Sequence, residues 1–94
     1  MPINIYKQDS TDKLAWLCED IWDLPNQISK LEDWLKNNSD NLEMSEYVID
    51  IGFDIRPNAT GGGAVISSEM MRIMSEKGFE LFLSEYPNQL NLEE

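Results

Sequence analysis

One segment of the chain, EYVIDIGFDIRP from Glu46 to Pro57, alternates apolar and polar residues more cleanly than any other segment. Successive side chains of a strand point to opposite faces, so this alternation predicts a strand with one apolar and one polar face. The apolar face carries five large side chains, those of Tyr47, Ile49, Ile51, Phe53 and Ile55. Burying them contributes about 7 to 15 kcal/mol before conformational entropy is subtracted. We therefore expect helices to cover this face, while the opposite face, with Asp50 and Asp54, meets water or a partner.

The first half of the chain predicts one further strand and two helices. The strand is the short β-prone segment from Ile3 to Lys7. A capping cluster follows at Asp9, Ser10 and Thr11, and apolar residues then recur at helical spacing at Leu14, Leu17, Cys18, Ile21 and Trp22. Proline is tolerated in the first turn of a helix, so Pro25 predicts the start of a second helix. The apolar stripe of that helix is Ile28, Leu31 and Leu35.

The second half predicts one helix and one strand. Ser67 has the character of an N-cap, and Gly78 suits the left-handed residue that ends a helix. The inward residues of this helix are Met70, Ile73 and Met74. Phe79 to Tyr86 alternates again and predicts a strand, which is expected to run parallel to the main strand if the two are neighbours.

Together these segments predict a single α+β domain over residues 1–94 with the order β-α-α-β-α-β. Its sheet has three strands with helices on one face, and residues 88–94 form a loosely ordered tail.

The chain is strongly acidic. It has 18 acidic and 7 basic residues, and therefore a net charge of −11 at neutral pH. Such a charge repels nucleic acid and anionic membranes, and it attracts cationic proteins. A second interpretation, that the acidity only keeps the protein in solution, stays open. Neither a signal peptide nor an apolar run of about 18 residues is present, so we expect a cytoplasmic protein.

The sequence offers few groups for catalysis. It has no histidine, the commonest general base, and Cys18 is its only cysteine. Asp50 and Asp54 share a strand face but lie about 13 Å apart, farther than the paired carboxylates of glycosidases. The glycine run Gly61 to Gly63 is not followed by the Gly-Lys-Ser/Thr of a phosphate-binding loop, although a small-ligand module that uses this turn stays an alternative. We predict a protein that is not an enzyme and that binds neither cofactor nor metal.

Two surfaces are candidates for binding a partner. Trp16 falls on the polar side of the predicted first helix, where it is an acid-ringed interface anchor unless a loop or the tail covers it. The acids around it are Asp12, Glu19, Asp20 and Asp23. The second candidate is the polar face of the predicted sheet, where the residues are Asp50, Asp54, Glu80 and Phe82, with Val48 beside them. The expected partner is a basic protein, and the expected oligomeric state is a monomer or a weak dimer.

From Tyr47 to Pro87, the order of features resembles the later part of a bacterial domain-of-unknown-function family, the one numbered 4279. The matching stretches are the strand YVIDIGFDI, the GGG turn, the helix opening ISSEMMRIM and the KGFEL passage into the last strand. The family supplies no catalytic residues. In overall type, the chain also resembles the small acidic immunity proteins of bacterial toxin systems.

The resemblance in type implies an immunity or inhibitor protein that neutralises a cationic toxin domain, with a nuclease as the expected class. The alternative is a phage-type nucleic-acid mimic that inhibits a host defence complex, since it would use the same negative charge.

Overall fold

The computed structural model describes residues 2–9 and 13–87. In chain order, its elements are β1 (Ile3–Lys7), β2 (Lys13–Leu17), α1 (Leu24–Asn38), β3 (Tyr47–Asp54), α2 (Ser68–Lys77) and β4 (Phe79–Tyr86). A short 3₁₀ turn, Ser39–Asn41, follows α1. Over these residues, no helix has the length and apolar character that crossing a membrane requires.

The four strands form one mixed sheet in the order β2-β1-β3-β4. β1 runs antiparallel to both β2 and β3, while β3 and β4 run parallel and are joined through α2. The expected parallel pairing of the last two strands is therefore confirmed. The expected three-stranded sheet is wrong, because the order is β-β-α-β-α-β and a fourth strand pairs with β1.

The helix predicted from Leu14 to Trp22 is wrong. Residues 13–17 form β2, and Cys18 has a left-handed φ of 56°, at which a right-handed helix cannot continue. A segment of five residues is too short for its apolar spacing to distinguish a helix from a strand. Ala15 and Leu17, two residues apart, both face the core, as they would in a strand. Long-range pairing decides between helix and strand. β2 hydrogen-bonds the edge of β1 that faces away from β3. If residues 13–17 were helical instead, the backbone N–H and C=O groups along that edge would have no partners.

The core lies between one face of the sheet and both helices. On the sheet side, it contains Ile3, Ile5, Ile49 and Ile51, all without exposed surface. On the helix side, it contains Ile28, Leu31, Leu35, Met70, Ile73 and Met74. This arrangement confirms that the helices cover one face and leave the other, here called the outer sheet face, without a helix.

The predicted helix ends are confirmed by their hydrogen bonds. The Ser67 hydroxyl accepts from the backbone N–H of Met70 at 3.0 Å, and Pro25 lies in the first turn of α1. α2 ends at Gly78, which has a φ of 90° and donates its N–H to the carbonyl oxygen of Met74 at 2.9 Å. The tail predicted over 88–94 lies outside the described residues.

Gly78 should be the glycine least tolerant of substitution. A Cβ at this position would collide with the backbone carbonyl oxygen of Ser45, in addition to the strain of the left-handed φ. We expect Gly78→Ala to lower the free energy of unfolding by more than about 4 kcal/mol, the range reserved for severe structural conflicts. Urea titration measures this change.

Gly62→Ala is the matched control. Gly62 also has a left-handed φ, of 82°, but a Cβ there would meet only Arg56 Nη2 at 3.6 Å. Gly62→Ala should lower the free energy of unfolding by about 1 to 2 kcal/mol, because only the backbone conformation is unfavourable for alanine there. Equal losses in the two variants would contradict the collision with Ser45.

Candidate partner-binding surface

A row of four side chains crosses the outer sheet face from one edge to the other. The strand register places Trp16 opposite Asn4, Asn4 opposite Asp50, and Asp50 opposite Phe82. Directly opposed residues share a face, and neighbouring strands lie about 4.8 Å apart, so the row is about 14 Å long. Trp16 is 46% exposed and Phe82 is 48% exposed. Two accessible aromatic rings therefore flank a polar centre.

The sheet thus brings together residues that the sequence assigned to separate surfaces. Trp16 was predicted on a helix, and Asp50 and Phe82 on a sheet, yet all three lie on one face. The reason is the pairing of β2 with β1, which gives Trp16 the same alternation as Asn4. Of the two alternatives left open for Trp16, exposure holds among the described residues, and its predicted place on a helix was wrong.

Asp50 is held in place within this row. The hydroxyl of Ser84, on the neighbouring strand, donates to Asp50 Oδ1 at 2.9 Å. Glu80 lies in the adjacent row, opposite Val48, and its side chain is exposed. Val48 is only 2% exposed, so it is covered by its neighbours and is not available to a partner. Asp50 and Glu80 therefore flank Phe82 on the outer sheet face, Asp50 directly opposite it and Glu80 two residues before it on the same strand.

Trp16 already accommodates a cation. The ammonium nitrogen of Lys13 lies 3.8 Å from the centroid of the Trp16 ring. A cation over the face of a tryptophan contributes about 0.5 to 1 kcal/mol at an exposed site. A lysine or arginine of a partner could use the same interaction by taking the place of Lys13.

A second aromatic pair extends this face toward the ends of β3 and β4. The rings of Trp22 and Tyr86 meet edge to face, with centroids 5.7 Å apart. A Cβ on Gly52 would lie 2.9 Å from Tyr86 Cε2, so glycine at this position leaves room for the pair. This contact was not predicted from the sequence. Its one local signal was a glycine in the interior of a strand, which often marks close approach of another group.

The acid-ringed helix surface does not exist in the structure. Glu19 and Asp20 lie in an exposed turn after β2. Asp23 is the N-cap of α1, where its carboxylate accepts from the backbone N–H of Asn26 at 3.3 Å and from the Asn26 side chain at 3.0 Å. Asp12 lies outside the described residues. Of the described residues of the first candidate surface, only Trp16 belongs to the row.

Asp54 lies apart from the row, at the end of β3. Its Oδ1 atom is buried and accepts no hydrogen bond from the described residues. Asp54 lines a cleft of about 570 Å³ together with Trp22, Phe53, Arg56 and Glu85. Arg56 Nη2 donates to the carbonyl oxygen of Gly61 at 3.2 Å, so this arginine fastens the glycine loop. Four residues separate that loop from α2, so its amides do not form the start of the helix.

Within residues 2–9 and 13–87, no three or more Cys, Asp or Glu side chains are grouped so that they could hold a metal ion. Comparison of the chain with family models, with curated proteins and with solved structures gives no match. The outer sheet face is therefore assigned from its own geometry and charge.

Cys18 should react slowly with alkylating agents. Partial burial raises the pKa of its thiol above the ordinary value, and this effect exceeds the opposing influence of the Lys30 ammonium. Since the folded state holds this proton more tightly, the thiol stabilises the fold below its unfolded pKa. That contribution is lost as pH rises through the folded pKa.

Iodoacetamide alkylation as a function of pH measures the shift directly, because the chain has one cysteine. The midpoint of the native protein should lie above that of the same protein unfolded in urea. A native midpoint equal to or below the unfolded one would show that Lys30 outweighs burial.

Proposed function

We propose that this protein is an immunity-type inhibitor that binds a cationic toxin domain, with a nuclease as the leading class, through its outer sheet face. The observation that carries the proposal is the row in which Trp16 and Phe82 flank Asn4 and Asp50. Binding hot spots are enriched in tryptophan, and aromatic rings beside carboxylates suit the alkyl stems and charged ends of lysine and arginine.

The net charge supports a basic partner. A nuclease must hold phosphate groups, so its substrate channel is positively charged. A protein with a charge of −11 is steered toward such a channel and repelled by nucleic acid itself. Association of this kind is fast at low salt and slows as salt screens the charges. Blocking the channel requires coverage and charge complementarity, and it requires no chemistry from the inhibitor.

The sequence also favours binding over catalysis. The chain has no histidine, and the carboxylate at the centre of the row, Asp50, is engaged by Ser84. Asp50 and Ser84 form a carboxylate–hydroxyl pair, but the chain has no histidine to complete the Ser-His-Asp arrangement of acyl-transfer enzymes. The same face with its exposed rings is suited to contact with protein.

The experiment that tests this function is capture of the partner followed by an activity assay. The tagged protein is incubated with extract of its native host at low salt, washed at rising salt, and the retained proteins are identified by mass spectrometry. We expect one basic protein at stoichiometric level, whose purified toxin or nuclease domain is inhibited at a 1:1 ratio. Recovery of a defence complex that binds DNA would indicate a nucleic-acid mimic instead, and an uninhibited partner would contradict the proposal.

Substitution of the outer sheet face should weaken binding of the captured partner. We expect Trp16→Ala to raise its Kd by about 30-fold or more, the effect of removing a hot-spot ring. Glu80→Lys should slow association by about tenfold or more through lost steering. Calorimetry and stopped-flow fluorescence measure the two effects.

Asp33→Lys is the matched control for Glu80→Lys. Asp33 is an exposed residue of α1, on the helix side of the sheet, and its substitution changes the net charge by the same amount. A smaller loss of association rate in this control shows that the outer sheet face is the site. Equal losses in both variants would show that only the net charge matters.

A further inference from the structure

The edge strand β4 presents a row of backbone hydrogen-bonding groups that are bonded to none of the described residues. It is eight residues long and stands at the end of the sheet order, so it pairs with β3 on one side and with no described strand on the other. An edge of this length is a template for an additional strand unless something protects it. The direction of its backbone groups determines which residues of β4 can bond an added strand, and its side chains determine what kind of strand fits.

Two hydrogen bonds show which backbone groups of β4 face β3 and, therefore, which face away from the sheet. The N–H of Tyr47 donates to the carbonyl oxygen of Gly78 and the N–H of Ile55 to that of Tyr86, each at 3.1 Å. Because the groups of a strand alternate in direction, the even-numbered residues from 78 to 86 face β3. The odd-numbered residues therefore direct their N–H and C=O groups away from the sheet. These residues are Phe79, Leu81, Leu83 and Glu85.

The side chains of β4 define the chemistry of the strand that would fit. Phe82 is exposed on the outer sheet face, and Leu83 is 53% exposed on the opposite face, so the helices do not cover the edge there. The carboxylates of Glu80 and Glu85 lie near the two ends of the strand, on opposite faces, and both are exposed. The edge thus offers an apolar centre between two negative charges.

These charges select against a second copy of this chain. A second copy would bring another net charge of −11 and two further glutamates to the same edge. A strand that carries lysine or arginine near its ends meets Glu80 and Glu85 with opposite charge, which stabilises cross-strand neighbours. Charge complementarity therefore favours a basic occupant.

We propose that an extended, basic segment of the partner protein adds to β4 as a fifth strand, with its backbone bonded to the four odd-numbered residues. Strand addition of this kind draws affinity from main-chain hydrogen bonds and specificity from the side chains on both faces. The inference rests on the proposed function, and it names the part of the partner that is recognised. The added strand would lie beside Phe82 and so continue the row that begins at Trp16.

A synthetic peptide tests the edge without the natural partner. The probe is a ten-residue peptide, acetylated and amidated at its ends, with lysine at positions 3 and 8, which fall on opposite faces of a strand, and valine and threonine at the other positions. In the ¹⁵N-labelled protein, we expect it to slow amide hydrogen exchange at Leu81 and Leu83, and more weakly at Phe79 and Glu85. The even-numbered amides should change little, because β3 already bonds them. The same peptide with glutamate in place of lysine should have no effect.

Three results would overturn the inference. The first is binding of the lysine peptide without slower exchange at the odd-numbered amides, which would place it on the outer sheet face alone. The second is no binding at millimolar peptide. The third is slow exchange at these amides that depends on protein concentration without peptide, which would show that a second copy occupies the edge.

A pair of variants at one position isolates the backbone group. Leu83→Pro removes an outward N–H that bonds nothing in the sheet, whereas Leu83→Ala keeps it and also shortens the exposed side chain. We expect Leu83→Pro to weaken peptide binding by about tenfold and Leu83→Ala by about threefold or less, with circular dichroism confirming that both fold. Equal affinities would contradict strand addition.

The same variants separate this inference from the proposed function. If Leu83→Pro binds the captured toxin with an unchanged Kd while Trp16→Ala binds it more weakly, the outer sheet face binds the partner and the fifth strand is disproved. If no basic partner is captured but the lysine peptide still protects the edge, the proposed function fails and the strand-binding edge stands.

Discussion

The structure depends on β3 being hydrogen-bonded along both of its sides. The N–H groups of Gly52 and Asp54 donate to the carbonyl oxygens of Pro2 and Trp22 on one side, and that of Ile55 donates to Tyr86 on the other. With its backbone satisfied in this way, β3 can bury Ile49 and Ile51 completely under the two helices. The buried side chain of Gln27 completes the arrangement, because its amide donates to the carbonyl oxygens of Ile21 and Gly52 at 2.8 Å. α1 is thereby fixed to the same strand by polar contacts as well as by apolar packing.

The alternation that buries one face of β3 also determines the other face. Since Ile49 and Ile51 point to the helices, Asp50 must point outward, and the paired strands place Asn4 and Phe82 beside it. The candidate surface is therefore a direct consequence of the core rather than an addition to it. A one-residue slip of β1 or β4 against β3 would move core-side residues such as Ile5 or Leu81 to the outer sheet face and disperse the row at the same time. Strong selection of register by the core thus preserves the relative positions of the two exposed rings.

Sequence patterns located α1, β3, α2 and β4, because each has a long alternation, a cap or a proline that acts locally, and they located the short β1 from its β-prone residues. They failed at β2, where five residues fit both periods and only pairing with β1 separates them. Trp16 was chosen as a candidate because a tryptophan among acidic residues is typical of an interface, and it is exposed. The predicted neighbours of Trp16 were wrong, because neighbours across a sheet are determined by strand order. Gln27, and the contact of Trp22 with Tyr86 over Gly52, join residues that are distant in the chain. Gly52 signals locally that some group approaches the strand, but no local pattern identifies the residues that meet, so these contacts could be found only in the folded structure.

The negative charge of the chain affects which strands can pair with the edge strand β4. An eight-residue edge with exposed Phe82 and Leu83 would favour pairing between copies if it were uncharged. Glu80 and Glu85 lie on that edge within a chain of net charge −11, so electrostatic repulsion opposes self-pairing while the backbone groups stay accessible. Salt acts on the two processes in opposite directions, because the Debye length falls from about 10 Å at 0.1 M to about 3 Å at 1 M. Screening weakens attraction to a basic strand and relieves repulsion between copies, so the charge both protects the edge and determines which strand can reach it.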